Sequence, residues 1–543
     1  VTSSDTPAPP APAIPASYAR KSTGLVRQIG IGGQSIFSAS GSPLGVTLVL
    51  ALFAFTLFPR SNFFIAMAIA LVAGLFAWVT FALLSSMMPR VGGDYAFVSR
   101  ILNPALGLGS NLAFFFGSMM ASGLWCYWVA EQGLSPAFSV IGAVTHSTGL
   151  TELGASFGPE HHVNCFLVAA GALILMSVLS ALGTKVAFRV ITVLFVIAAA
   201  GFLVDILILA FTSHSSFVSK INHLGGAGSY AKTIGKADHT LFPTGGYSTR
   251  STIGAAYYCL SNTVFCWVGA YTIAEFRGAG QRKRELSTMV GSGVGQIFLV
   301  LLGAFVFLNT VGYDFFISAL GGNFAGPGGG TVGLAGYVYF AGVAAPGSFL
   351  VVVLSLAFMG WWLPGLYVNM AMAQRALLSY SLDGLLPRKV AYVSPRTHTP
   401  LVAIAIVTVG SLAGVAWVSF STSFFEVLGI MLLLSFVPMV FVGIAAMVVK
   451  FRRADLYKGS PADWRVAGVE VLPIAGAGCF LVGVVAIGTA LYFHKELAFN
   501  LWQAAALPFV ILAFGAAWYT GARLLRRKEG IDLDLAYSTI PPE

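Results

Sequence analysis

Between residues 26 and 525 the chain runs through one continuous apolar stretch after another, each about as long as the ~20 residues a helix needs to cross a bilayer. Twelve can be drawn: 26–58, 63–88, 105–130, 163–184, 187–211, 253–276, 287–311, 348–380, 400–419, 424–450, 467–493 and 500–522. A soluble domain could not hide a 543-residue chain that is 57% hydrophobic and 9% charged. An outer-membrane barrel would alternate apolar and polar positions over segments of about ten residues, and these runs do not alternate. The expected fold class is an all-α polytopic membrane protein with about 12 transmembrane helices.

Charge sets the expected orientation. With both termini on one side, 24 of the 30 Lys and Arg fall on that side, in clusters such as Arg282-Lys283-Arg284 and Arg523 to Lys528. The other six are Arg60, Lys220, Lys232, Lys236, Arg250 and Lys495. This bias predicts cytoplasmic termini and a multi-pass protein of the cell membrane, plasma or inner. The net charge of +10 then reads as attraction to an anionic leaflet and calls for no nucleic-acid partner. Residues 1–23, rich in Pro, Ala and Ser at their start, are expected to form a disordered cytoplasmic tail with no signal-peptide order. Residues 212–252 read as an extracellular loop and 529–543 as a cytoplasmic C-terminal tail. Cys126, Cys165, Cys259, Cys266 and Cys479 all fall within spans, as small packing residues.

Two spans carry helix breakers. The first contains Ser38-Ala39-Ser40-Gly41-Ser42-Pro43 near its middle, which predicts an unwound segment between two half-helices. The sixth has a weaker version, Trp267-Val268-Gly269-Ala270-Tyr271-Thr272, with one glycine and no proline. Open backbone at membrane depth is tolerated only inside protein or along a wet cavity. Breaks at corresponding positions of two inverted halves, spans 1–5 and 6–10, point to a midplane site. The competing reading is that Gly and Ser merely allow close helix packing. At such a site the Gly41 and Ser42 amides can hold a carboxylate, and freed carbonyls of Trp267 to Ala270 can accept from an ammonium group.

Three loops resemble those of the amino acid, polyamine and organocation (APC) transporters. Pro89-Arg90-Val91-Gly92-Gly93-Asp94-Tyr95-Ala96-Phe97-Val98-Ser99-Arg100 is similar to the family's P-x-x-G-G-x-Y-x-[YF]-x-x-[RK] loop. Ser381-Leu382-Asp383-Gly384-Leu385-Leu386-Pro387-Arg388, closing at Thr399-Pro400, resembles its A-R-D-G-x-x-P run. Ala181-Leu182-Gly183-Thr184-Lys185 matches the N-x-x-G-x-K junction without its Asn. The resemblance implies a 5+5 inverted-repeat (LeuT-like) fold with broken spans 1 and 6. The first repeat is then 24–211, the second 253–450, and two appended helices occupy 451–528. It further implies an amino acid permease, a secondary active transporter of an amino acid or related amine working by alternating access. A non-transporting subunit or nutrient sensor on the same fold is the alternative, and no catalytic constellation suggests an enzyme. The chain departs from the family where it has Gly269-Ala270-Tyr271 in place of Gly-[FV]-Glu, and where span 5 has Val196 to Ala200 in place of a lysine.

The expected substrate-binding residues are Ser38, Ala39, Ser40, Gly41, Ser42, Trp267, Val268, Gly269, Ala270, Tyr271, Trp125 and Asn369. The expected gating or cytoplasmic-loop residues are Arg90, Gly92, Gly93, Tyr95, Arg100, Asp383 and Gly384. Neither a cofactor nor a metal site is expected; His161-His162 lacks further ligands at recognisable spacing. A coupling ion, H⁺ or Na⁺, is open, with Asn369, Ser38, Ser40 and Ser42 as neutral oxygens for Na⁺. Among ionisable groups within spans, Asp205, Glu131 and Glu426 read as outer-end residues and Arg375 as one that snorkels to the cytoplasm.

Overall fold

The computed structural model describes residues 16–17, 24–240, 243, 245–324, 336–421 and 424–538. Most of the 1–23 tail and most of the glycine-rich 321–333 stretch lie outside these residues. Among the described residues, eleven helical segments are long and apolar enough to cross a membrane. In the order of the sequence count, spans 1 to 5 are Ile31–Leu57, Phe63–Met87, Pro104–Thr145, His162–Ala181 and Thr184–Phe211. Spans 7 to 12 are Arg282–Val311, Ser348–Leu382, Leu401–Phe420, Leu428–Arg452, Val471–Tyr492 and Leu501–Lys528.

The place of the sixth is taken by a 15-residue α-helix, Thr249–Thr263, that tightens into 3₁₀ turns over Val264–Tyr271 and Ile273–Glu275. Its α-helical part alone is too short to span. At ~1.5 Å and ~2.0 Å rise per residue the whole segment has a contour of about 44 Å, enough to cross the hydrocarbon core.

The two breaks reverse their expected sizes. In span 1 the helix runs on through Ser38 and Ser40, and only Gly41, Ser42 and Pro43 separate Ile31–Ser40 from Leu44–Leu57. The interruption sits where Pro43 has no N–H to offer and takes an extended conformation, ψ 131°. In span 6 the departure from α-helix is longer than the Gly269 signal suggests. It is held from outside: Trp78 Nε1 donates to the Val264 carbonyl at 2.8 Å, and the Phe265 amide donates to Ser42 Oγ at 3.2 Å.

Span 3 is also longer than its apolar run, 42 residues to Thr145. A π-helical segment, Val129–Leu134, precedes Ser135 and Pro136. That extra residue per turn takes up the backbone bond that Pro136 cannot make, so the helix continues past the proline.

Burial sorts the bundle. In the most apolar window of each span, 89% of span 1, 83% of span 3 and 72% of span 10 is buried, against 28% of span 5 and 22% of span 12. Spans 1, 3 and 10 therefore form the centre, and spans 5 and 12 face lipid. Small residues let the last two helices dock. A Cβ on Gly476 would lie 2.9 Å from the Gly443 carbonyl of span 10, and one on Gly515 would lie 2.4 Å from Gly109 Cα of span 3. All five cysteines are buried and free. Beyond span 12 the chain turns back through a short helix, Leu533–Ser538, with Leu533 and Tyr537 buried. Ala16–Ser17 pairs with Ile531–Asp532 as a two-residue parallel strand pair.

Candidate functional site

The two breaks touch. A Cβ on Gly41 would lie 2.4 Å from the Phe265 carbonyl oxygen and 2.7 Å from Val268 Cγ2, so only glycine lets the span 1 break approach the span 6 break this closely. The Gly41 and Ser42 amides are already used, donating to the Ser38 and Ala39 carbonyls at 3.2 Å each. The amides with no intrahelical acceptor are those of the next turn, Leu44 to Val46, which no side chain caps. The positive end of a helix dipole thus falls one turn beyond the residues that the sequence pattern pointed to.

Against this contact, toward the end of the bundle where span 3 finishes, lies a cavity of about 40 Å³, room for a few waters. Its lining comes from both halves. Gly41, Ser42, Pro43, Val46, Thr47 and Leu50 belong to span 1, and Ser261, Asn262 and Phe265 to span 6. Span 3 gives Phe114, Gly117, Ser118, Ala121, Trp125 and Trp128, span 8 Asn369 and Met372, and span 10 Leu428, Met431, Leu432 and Ser435. Of the twelve substrate-binding residues expected from sequence, Gly41, Ser42, Trp125 and Asn369 line it. Ser38, Ala39 and Ser40 lie in the helix before the break, buried, and the Ser38 and Ser40 hydroxyls have no hydrogen-bond partner among the described residues. Trp267 lies behind the lining, its ring stacked on Phe81 at 4.3 Å and tilted against the cavity residue Phe114 at 4.9 Å. Val268 packs against Gly41, Gly269 against Ser38, and Ala270 is fully buried.

On the other side of the breaks the bundle is closed by two buried polar networks. Call the face where span 1 begins and span 12 ends the terminal face. There Asp94, in the short helix Asp94–Ile101 between spans 2 and 3, accepts from the Tyr271 hydroxyl and from Asn111 Nδ2 at 2.9 Å, and Tyr380 donates to Asn111. Tyr271 thus belongs to this closure and not to the cavity. Gly93, at φ +54°, sits where a Cβ would be 2.7 Å from the Tyr271 ring, while the Gly92 amide reaches the Tyr271 carbonyl at 3.4 Å.

In the second network Arg100 binds both oxygens of Asp383 at 2.7 and 2.8 Å, and Tyr95 donates to Asp383 at 2.7 Å. Tyr537, from the C-terminal turn, completes it: its hydroxyl is 2.9 Å from that of Tyr95, and its ring lies under the Arg100 guanidinium at 4.8 Å. The Gly384 carbonyl accepts from Arg526 at 3.1 Å, and Arg90 is half-buried at the same face.

Arg375 departs from its expected place. Only 1% exposed, it does not snorkel to water but pairs with Glu275 at 2.9 and 3.1 Å. Sequence spacing gave no sign of this pair or of Tyr537, since their partners lie about a hundred residues or more away.

Asp94 gives the closure a pH dependence. Burial raises its carboxyl to about 7, partly opposed by the Tyr271 and Asn111 hydrogen bonds, and its Oδ2 has no partner among the described residues. The unfolded carboxyl titrates near 3.8. The folded state therefore keeps a proton that the unfolded chain gives up. This stabilisation is complete below the unfolded pKa and is lost as pH rises through about 7. Thermal unfolding of the purified protein is expected to shift to lower temperature between pH 5 and 8. The Asp94→Asn protein should lose part of that slope, and an unchanged slope would show that Asp94 does not contribute to it.

A bundle of apolar helices with a cavity at two touching breaks, sealed on one face, defines a multi-pass membrane protein of the transporter class. The family model described as amino acid permease matches residues 33–514, and the chain belongs to that family. No curated protein matches it.

Proposed function

We propose that the chain is a secondary active transporter of an amino acid or related amine, working by alternating access across the cell membrane with both termini cytoplasmic. Membership of the permease family supports amino acid transport. The observation that carries the mechanism is the arrangement around Gly41 and Phe265: a cavity on one side of the touching breaks, buried networks on the other. This is the geometry of a carrier closed at its terminal face, and rocking of a bundle about the breaks would open that face. The two broken segments supply the ends a zwitterion needs. The uncapped start of the second half of span 1, whose Val46 lines the cavity, can hold a carboxylate, and carbonyls near Ser261 to Phe265 can accept from an ammonium.

The coupling ion is H⁺ or Na⁺. Asn369 and Ser42 offer neutral oxygens in the lining, and Ser38 and Ser40 offer unpartnered hydroxyls just below it. The test is uptake of a labelled amino acid mixture into proteoliposomes under an imposed pH or Na⁺ gradient. We expect accumulation that collapses when the gradient is dissipated. Equal label in protein-free vesicles, with the protein shown to be folded and inserted, would sink the reading.

A further inference from the structure

We infer that the ligand of this cavity is a zwitterion with an uncharged, apolar side chain, and that charged amino acids are rejected. The inference rests on the transporter reading and narrows it. Its basis is the charge of the wall: no Asp, Glu, Lys, Arg or His is among the described residues that line the cavity. The α-ammonium and α-carboxylate can be met by backbone groups at the two breaks, which carry opposite partial charge. A third charge, on the side chain, would find no partner, and a buried unpaired charge is strongly disfavoured.

The polar groups that do line the cavity are mostly committed. Thr47 donates to the Asn262 carbonyl, Ser261 to the Tyr258 carbonyl at 2.9 Å, and Ser435 to the Met431 carbonyl at 2.8 Å. The Asn369 side-chain amide donates to the Gly365 carbonyl at 2.9 Å. The Ser118 hydroxyl in span 3, 2% exposed, lines the cavity with no partner among the described residues. The remaining wall is apolar, from Phe114, Trp125, Leu50 and Leu432, together with Met372 and Met431. The two methionines are unbranched and can shift to admit a side chain larger than the present 40 Å³ allows. The nearest acid along span 3, Glu131, lies in the π-helical segment beyond Trp128 and is not part of the lining.

The experiment is calorimetric titration of the full chain in nanodiscs with L-leucine, L-phenylalanine, L-arginine, L-glutamate and phenethylamine. Leucine or phenylalanine should bind at least about 100-fold more tightly than arginine or glutamate. Phenethylamine, which lacks the carboxylate, should bind more weakly than phenylalanine. Ser118→Asp should raise arginine affinity and lower that of leucine, and Glu131→Gln should leave the order of ligands unchanged. Arginine or glutamate bound as tightly as leucine would overturn the selectivity while leaving the transporter reading intact. Loss of the order in Glu131→Gln would likewise overturn it by placing a charge in the site. No binding of any probe to folded protein would overturn both.

Discussion

Arg375→Ala is expected to cost about 3–5 kcal/mol of stability, the range for breaking a buried ion pair by removing one partner. Both residues are 1% exposed, and the guanidinium holds both carboxylate oxygens of Glu275, with a third bond to Gln374 at 2.9 Å. Truncation leaves the Glu275 carboxylate buried with its main cation gone. The damage should also travel along the backbone. The Glu275 carbonyl accepts the Gln28 and Ile29 amides at 3.1 Å each, and the Arg277 amide returns to the Ile29 carbonyl at 2.9 Å. The pair thus ties span 8 to the end of span 6, and span 6 to the chain entering span 1. Hydrogen exchange at Ile29 and Arg277 should speed up in Arg375→Ala, and the protein should unfold at lower denaturant or temperature. The double variant Arg375→Met, Glu275→Leu should recover much of the loss, because an apolar pair of similar volume leaves no orphaned charge. A single-variant loss below about 1 kcal/mol would mean that water reaches Glu275 and the pair is not sealed.

The contrast between this pair and the spans shows what the sequence reveals and what it hides. Apolar runs are local, so ten of the twelve stretches appear in the structure with ends moved by only a few residues. Span 3 differs because its apolar run stops at residue 130, before Glu131, whereas the helix continues through a π-helical segment and past Pro136 to Thr145. The span 1 break is visible through Pro43, yet it is narrower than the 38–43 run of small residues suggests. Ser38 and Ser40 remain helical, since a buried serine leaves the backbone ladder intact and gives up only its own hydroxyl.

The span 6 break is wider than its Gly269 signal because what holds it open is not local. Its 3₁₀ stretch depends on Trp78, Ser42 and the approach of Gly41, all nearly two hundred residues or more away in sequence. The same limit applies to the site residues. Motif resemblance marked Tyr95, Arg100 and Asp383 without showing that they meet one another or that Tyr537 joins them. Tyr271, expected beside the substrate on its position in the break, lies one 3₁₀ turn beyond Trp267 and reaches Asp94 on the closed face.

Gly41→Ala tests whether the contact of the breaks is what the carrier turns on. The added methyl would meet the Phe265 carbonyl oxygen at 2.4 Å and Val268 Cγ2 at 2.7 Å. A side chain can rotate away, but the Phe265 oxygen is backbone, held by a 3₁₀ segment whose Val264 carbonyl and Phe265 amide are already bonded to Trp78 and Ser42. One broken segment must therefore shift relative to the other, at a cost of about 1–3 kcal/mol typical of overpacking. The uncapped amides at Leu44 to Val46 and the carbonyls near Phe265 would move apart, and these are the groups proposed to hold the two ends of a zwitterion. Uptake is expected to fall about tenfold or more, as follows from losing 1.4 kcal/mol of positioning for each factor of ten. The control is Gly32→Ala in the same span, where a Cβ meets nothing within 4 Å. There alanine gains about 1 kcal/mol of helix propensity over glycine, so stability should rise slightly and uptake should stay the same. Opposite outcomes for one methyl group placed nine residues apart would localise function to the break. Wild-type uptake in Gly41→Ala would show instead that the breaks can separate without consequence, and that the cavity beside them is not where substrate is held.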